Sequence, residues 1–155
     1  MALLISACFL LSGCGYKFVA GGQPKITVKP VLNYSLQPLA DICLSEAVKK
    51  VFVEYPDFSL VNSEAAADYV LHLKINRWKR KPVFFSRKDS KDIAIAGFET
   101  ETEISLFKNG ENIFTETVKE TFSASLAEEY REDYVLEKIS QKLAEKIYFR
   151  VLDKR

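Results

Sequence analysis

Few side chains in this sequence have the types and spacing that chemistry requires. Glu99, Glu101 and Glu103 stand at alternate positions, which on a strand places their carboxylates on one face, roughly 7 Å apart. Paired carboxylates could carry out general acid–base catalysis, but a solvated strand face shows the same pattern far more often. The single histidine, His72, excludes a metal site built from several histidines. We interpret His72 as a solvated strand residue.

Sequence motifs for catalysis are absent. The chain has no glycine-rich dinucleotide or phosphate-binding loop, no zinc-protease helix motif and no serine-hydrolase elbow. Cys43 lies on the apolar face of a predicted helix, where a small core residue is a better interpretation than a nucleophile. We therefore predict that the protein is not an enzyme, that it has no catalytic residues, and that it uses no cofactor and no metal. It is predicted to act by binding or assembly.

The most distinctive charged feature is a basic segment with aromatic residues interleaved. Eight bases and one acid lie between positions 74 and 91, whereas ten acids and three bases lie between positions 99 and 133. Basic side chains recognise phosphate, and neighbouring aromatics suit acyl chains or headgroup carbons. The segment is predicted to be a loop between two strands and a candidate glycolipid-binding site. Its candidate residues are Lys79, Arg80, Lys81, Arg87 and Lys88.

Two other interpretations of the basic segment stay open. It could be a solvated hairpin end whose aromatics enter the core, or it could contact a protein partner. Nucleic acid is not an expected partner, because 22 basic and 21 acidic residues leave a net charge of +1.

The first 14 residues indicate export. Residues 2–11 are almost entirely apolar, and ten residues are too few to span a bilayer as a helix but fit the apolar part of a signal peptide. The following Leu11-Ser12-Gly13-Cys14 resembles the lipobox of bacterial lipoproteins. That resemblance implies cleavage before Cys14 and lipidation of its thiol and amine, with palmitate among the acyl chains. Gly15 stands where an aspartate would retain such a protein in the inner membrane, so outer-membrane sorting is expected.

The remaining chain fits one domain. At 155 residues with 48% hydrophobic and 28% charged residues, the composition is that of a globular protein. We predict a signal peptide over 1–13, a lipidated tether over 14–24 and a single α/β domain over 25–155. Hydrophobic periodicity and turn residues predict strands over 26–33, 58–61, 69–78, 93–107 and 112–122, and helices over 38–55 and 128–152.

The order of these elements predicts the fold class. Asn109-Gly110 is a strong signal for a two-residue hairpin, and Pro56 should end the first helix at the residue before it. Two helices can cover only one face of the sheet. We predict an α/β (α+β) two-layer sandwich with two helices on one face of a four- to five-stranded mixed sheet. Its first strands are predicted to be parallel and its later strands to form antiparallel hairpins.

Several segments resemble the LptE family of lipopolysaccharide-assembly lipoproteins. Directly after the lipobox, residues 14–18 (CGYKF) resemble the start of the family's mature chains. Residues 26–33 (ITVKPVLN) resemble its first strand, and residues 66–71 (AADYVL) resemble the lead-in to its next long strand. The resemblance covers essentially the whole mature chain.

The resemblance implies a lipid-anchored, periplasm-facing protein of the outer membrane. Such proteins sit as a plug inside the large β-barrel LptD, help it assemble and contact lipopolysaccharide during its transport to the cell surface. The expected partners are therefore an LptD-type barrel, lipopolysaccharide and the membrane. The alternative is another periplasmic assembly lipoprotein, such as a pilotin or a secretion-complex subunit, that binds no glycolipid.

Overall fold

The computed structural model describes residues 22–84, 95–125 and 131–155. The elements, in chain order, are strands β1 (Lys25–Val28) and β2 (Leu32–Asn33), helix α1 (Ala40–Glu54), strand β3 (Ser59–Leu60), a 3-10 turn (Glu64–Ala66), strands β4 (Tyr69–Phe84), β5 (Ile95–Lys108) and β6 (Glu111–Ser125), and helix α2 (Glu132–Lys154).

The predicted fold class is confirmed, with a somewhat larger sheet. The two helices pack on one face of a mixed sheet in the order β3-β1-β4-β5-β6, and β2 pairs with β4 as a sixth strand. Strand β1 runs parallel to β3 and β4, and β4, β5 and β6 are antiparallel. The sixth strand arises because the predicted first strand is interrupted at Pro30, which has no N–H for the ladder. Both halves still pair with β4.

Helix α1 starts two residues later than predicted and ends where predicted. Leu39, which precedes the helix, has a left-handed backbone with φ of 62° and provides no side-chain cap. Helical geometry therefore begins only at Ala40. At the other end Tyr55 is extended, as expected for the residue before Pro56.

The long hairpin of β5 and β6 turns at Asn109-Gly110, as predicted. Their φ angles are 51° and 83°, and positive φ at both central residues is what a two-residue hairpin turn of this kind requires. Strand β4, in contrast, runs to Phe84, well past the predicted end at residue 78. The prediction that residues 79–84 form a loop was therefore wrong, because their backbone stays paired with β5.

The core lies between the helices and the inner face of the sheet. Helix α2 contributes a continuous stripe of buried residues, and strands β4 and β5 contribute alternating ones such as Leu71, Leu73, Ile104 and Leu106. Thr100 and Thr102 also point inward on β5, and their buried hydroxyls have no hydrogen-bond partner among the described residues. Burying these two hydroxyls without partners lowers the stability of the folded state in the middle of the sheet.

One end of the core is an aromatic cluster that joins the two helices. The Tyr148 ring is fully buried and lies 5.1 Å from Phe52 and 4.8 Å from Tyr55, measured between centroids. Its hydroxyl donates a hydrogen bond of 2.6 Å to Asp57. The C-terminal residue Arg155 also donates to the Asp57 carbonyl, at 3.1 Å. The segment after α1 is thereby fixed to the end of α2.

In the described part of the chain, no helix combines the length and the apolar character that crossing a bilayer requires.

Candidate functional site

A one-residue bulge in β4 determines which way the basic side chains point. Ile75 lies opposite Thr102, and Arg77 lies opposite Glu101, so Asn76 is an extra residue on its strand. Before the bulge the odd-numbered residues of β4 face the helices, whereas after it the even-numbered residues Trp78 and Arg80 do. Alternate side chains of a strand point to opposite faces. Lys79 and Lys81 therefore lie on the face of the sheet that the helices do not cover, which we call the open face.

The open face of the sheet carries a lattice of opposite charges. Lys74 lies 3.1 Å from Glu103, Arg77 lies 3.7 Å from Glu101, and Lys119 of β6 lies 2.9 Å from the same Glu101. Lys81 forms an ion pair with Glu99. We call this surface the charged face; it comprises Lys74, Arg77, Lys79, Lys81, Glu99, Glu101, Glu103 and Lys119.

Two carboxylates of the charged face, those of Glu99 and Glu101, have lowered pKa values. A hydrogen bond from Lys81 lowers the pKa of Glu99, and one from Lys119 lowers the pKa of Glu101. The side chains of the two glutamates are about one-fifth exposed, so solvent screens their ion pairs less than it screens pairs between fully exposed charges. The glutamates thus act here as the acidic half of an ion-pair lattice that joins β4, β5 and β6.

A small cavity lies on the side of β4 and β5 that faces the helices. Its volume is about 120 Å³, and it lies between the distal part of the sheet, the β2–α1 connection and the first turns of α2. Trp78 and Phe98 supply apolar walls, while Arg80 and Glu132 supply opposite charges. Such a mixture can receive the end of an apolar chain next to an anionic group.

The structure does not bring all the predicted glycolipid-binding residues together. Lys79 and Lys81 belong to the charged face, whereas Arg80 lines the cavity on the opposite side of the sheet. Arg87 and Lys88, like the predicted lipidation site Cys14, lie outside the described residues. The sequence contains a signal for this separation. Apolar residues stand at odd positions up to Ile75 and at an even position at Trp78.

The remaining predicted residues are placed as follows. His72 is exposed on the open face, and its ring lies 4.8 Å from that of Phe107. Cys43 is half-buried against the core, where burial and then the negative charge of Glu46 raise the pKa of its thiol. Within the described ranges, no three histidine, cysteine or carboxylate side chains converge in a way that could hold a metal ion.

Comparison with known proteins identifies the fold. The sequence matches no protein-family model and no curated protein. Solved structures, however, include a hypothetical protein from Chlamydia trachomatis that is similar with a TM-score of 0.61 and 14% identity, over 85% of this chain and 97% of that one.

Two lipoprotein structures have the same overall fold. Rare lipoprotein B from Shewanella oneidensis is similar with a TM-score of 0.53 and 11% identity, over 83% of this chain and 94% of its own. A minor lipoprotein from Acinetobacter baumannii is similar with a TM-score of 0.52 and 14% identity, over 83% and 92%. At such identities the likeness concerns the fold alone, which is thus one that bacterial lipoproteins also adopt.

Proposed function

We propose that this chain is an outer-membrane lipoprotein, anchored through Cys14, that plugs an LptD-type β-barrel, helps it assemble and takes part in lipopolysaccharide transport. The lipobox-like Leu11-Ser12-Gly13-Cys14 and the segments that resemble the LptE family support the class of protein. The protein acts in this proposal by binding and not by catalysis.

The charged face is the observation that carries the proposal. It is a broad sheet surface that neither helix covers, and opposite charges lie side by side across three strands. Burying this surface in lipid would be costly, whereas the lumen of an outer-membrane barrel is polar. The charged face therefore fits the inner wall of a barrel.

The size of the domain limits the kind of barrel that could hold it. A folded chain of 155 residues has a radius of gyration of about 15 Å. Barrels with about 16 to 18 strands leave only a narrow aqueous channel, and those with about 22 strands can hold a folded plug. The proposed partner is therefore a barrel of about 22 strands or more.

The cavity beside Arg80 is where this proposal places the contact between a glycolipid and the domain. A volume of about 120 Å³ is well below the 300 Å³ or more of a typical ligand pocket, so only part of a large amphiphile would enter. The Arg80 guanidinium suits a phosphate, and Trp78 and Phe98 suit an acyl chain. Lys79 and Lys81 point to the opposite face of the sheet, so a headgroup at this cavity would meet Arg80 and not these two lysines. Arg87 and Lys88 lie outside the described residues and stay candidates from the sequence alone.

The barrel proposal is tested by recovering partners from outer membranes. The tagged, lipidated protein is extracted in mild detergent, and the proteins that co-purify are identified by mass spectrometry. Thr117→Arg places a long cation on the open face at an exposed position of β6. Glu145→Arg places the same side chain on the exposed side of α2 and serves as the matched control.

We expect one large β-barrel at about equal molar amount with the unmodified protein and with Glu145→Arg, and a clear loss of it with Thr117→Arg. Equal recovery by both variants would remove the charged face from the interface. Recovery of a pilus or secretion subunit in place of a barrel would favour the alternative assembly lipoprotein.

A second measurement shows whether glycolipid contacts the cavity side or the charged face of strands β4 and β5. Binding of purified lipopolysaccharide is compared for Arg80→Gln and Lys79→Gln, together with a variant that neutralises Arg80, Lys81, Arg87 and Lys88. Weaker binding by Arg80→Gln alone would assign the contact to the cavity. Unchanged binding by the quadruple variant would refute glycolipid binding by the basic segment.

A further inference from the structure

Five large apolar side chains are exposed to solvent around the connection from β2 to α1. Their exposed fractions range from about half to complete, and Leu36 at the tip is 100% exposed. Leu32 lies opposite Lys74 and so belongs to the open face, whereas Ile42 lies on α1. The group therefore wraps around the edge of the sheet. We call it the apolar edge patch; it consists of Leu32, Tyr34, Leu36, Leu39 and Ile42.

The backbone that displays the patch is held in place by its own hydrogen bonds. The Asn33 Oδ1 atom accepts from the Ser35 backbone N–H at 3.0 Å and from the Ser35 hydroxyl at 2.6 Å. The Asn33 amide also donates to the Gln37 carbonyl at 2.9 Å. Leu36 is thus presented outward by an ordered turn, so little conformational entropy would be lost when a partner covers it.

The composition of the patch is typical of a membrane interface. Leucine and isoleucine favour the acyl region, and tyrosine is enriched at the level of the headgroups. The Lys74 ammonium lies 5.8 Å from the centre of the Tyr34 ring, so a cation stands beside the aromatic residue. Large apolar side chains that are exposed together within positions 32–42 mark a candidate interaction site.

The position of the anchor brings a bilayer within reach of the patch. Lys25, the first residue of β1, lies eleven positions after Cys14, and the chain between the two residues can span at most about 40 Å. From Lys25 to Leu32 the chain advances by no more than about 25 Å. A domain tethered at Cys14 can therefore lay the patch on the lipid surface that holds its own anchor.

We propose that the apolar edge patch inserts into the surface of that bilayer, with Leu36 deepest. The lipid-anchored domain is then held in one orientation rather than hanging freely from its tether. This inference rests on the lipidation of Cys14 in the proposed function, and it needs neither the barrel nor a glycolipid.

The test uses the lipidated chain in vesicles of phosphatidylethanolamine and phosphatidylglycerol that contain no barrel. An environment-sensitive fluorophore is attached at Leu36→Cys or, as the control, at Val53→Cys, both in a Cys43→Ala background. Val53 is an apolar residue near the other end of α1 and is 72% exposed. Because both positions are largely exposed, labelling leaves the core packing unchanged.

We expect the emission at position 36 to shift to the blue and to be quenched by spin-labelled lipids, and the emission at position 53 to stay as in water. Water-like emission at both positions would overturn the proposal. Emission at position 36 that shifts only after a purified barrel is added would overturn it as well, because the patch would then be a protein contact. Loss of the barrel in the co-purification experiment would leave the vesicle result unaffected.

Discussion

Replacing Tyr148 by phenylalanine tests whether the bond to Asp57 stabilises the junction of the two helices. The substitution keeps the buried ring and its contacts with Phe52 and Tyr55, and removes only the hydroxyl that donates 2.6 Å to Asp57. A hydrogen bond to a charged group contributes about 1.5–3 kcal/mol. Asp57 is 38% exposed and keeps an ion pair with Arg155, so we expect a loss near the lower end, about 1.5 kcal/mol.

The loss is measured by urea unfolding, followed by circular dichroism and by the fluorescence of the only tryptophan, Trp78. The urea midpoint should fall with an unchanged slope, and the thermal midpoint should fall by about 3–6 °C. Tyr55→Phe is the control, because Tyr55 stacks on Tyr148 but is 37% exposed. We expect its effect to stay within about 0.5 kcal/mol. Equal effects of both substitutions would refute an energetic role for the bond.

The stability difference between the wild type and Tyr148→Phe should depend on pH, and the pKa of Tyr148 gives the sign of that dependence. Burial, followed by the hydrogen bond to Asp57, raises the pKa of Tyr148 above its ordinary value of 10. Above that pH the unfolded chain releases this proton while the folded chain keeps it, so the wild type loses stability as pH rises. The phenylalanine variant lacks this loss. The stability difference between the two proteins should therefore shrink above pH 10, and a constant difference would contradict the assignment.

Three further predictions concern other parts of the fold. Gly110→Ala should lower the free energy of unfolding by about 1 kcal/mol, because Gly110 has a φ of 83° although a Cβ would meet no atom within 4 Å. Gly22→Ala is the control: a Cβ there is equally free of contacts and Gly22 lacks such a φ, so thermal unfolding should show no change. Glu99→Gln combined with Glu101→Gln should flatten the dependence of stability on pH below about pH 4.5. The lowered pKa of each glutamate gives the wild type a stabilisation that is lost as pH falls. Parallel curves of urea midpoint against pH for the two proteins would refute this. Thr102→Val should leave stability unchanged or raise it by about 1 kcal/mol, because its buried hydroxyl has no partner among the described residues, and a loss above 1 kcal/mol in urea unfolding would show that the hydroxyl is bonded.

The parts of the fold that the sequence predicted depend on local signals. Asn109-Gly110 permits positive φ at two successive positions, and Pro56 disfavours helix in the residue before it, so the turn and the helix end follow from single residues. The alternation in Tyr69, Leu71, Leu73 and Ile75 assigns one face of β4 without any tertiary information.

The errors arise where pairing with a distant segment decides the structure. Residues 79–81 are basic and proline follows at position 82, so residues 79–84 look locally like a loop. They nevertheless continue β4, because β5 offers backbone partners and the carboxylate of Glu99. The bulge at Asn76 is likewise a property of two strands, since it exists only relative to the register of β5. The change of apolar residues from odd to even positions between Ile75 and Trp78 signals a break in the alternation, but the sequence of one strand does not show that the segment stays paired beyond the break, so the five basic residues were expected to form a single site.

The bulge at Asn76 also has a consequence for how related sequences are compared. Deleting this one residue would close the bulge, because Arg77 would then follow Ile75 directly and could keep its place opposite Glu101. Trp78 and Arg80 would stay on the cavity side, and Lys79 and Lys81 would stay on the charged face. In a relative that lacks one residue here, an alignment gap placed away from position 76 would match residues of opposite faces between the gap and the bulge. Residues of this strand are thus equivalent between relatives when they share a face, and only a gap placed at the bulge makes the alignment columns agree with the faces.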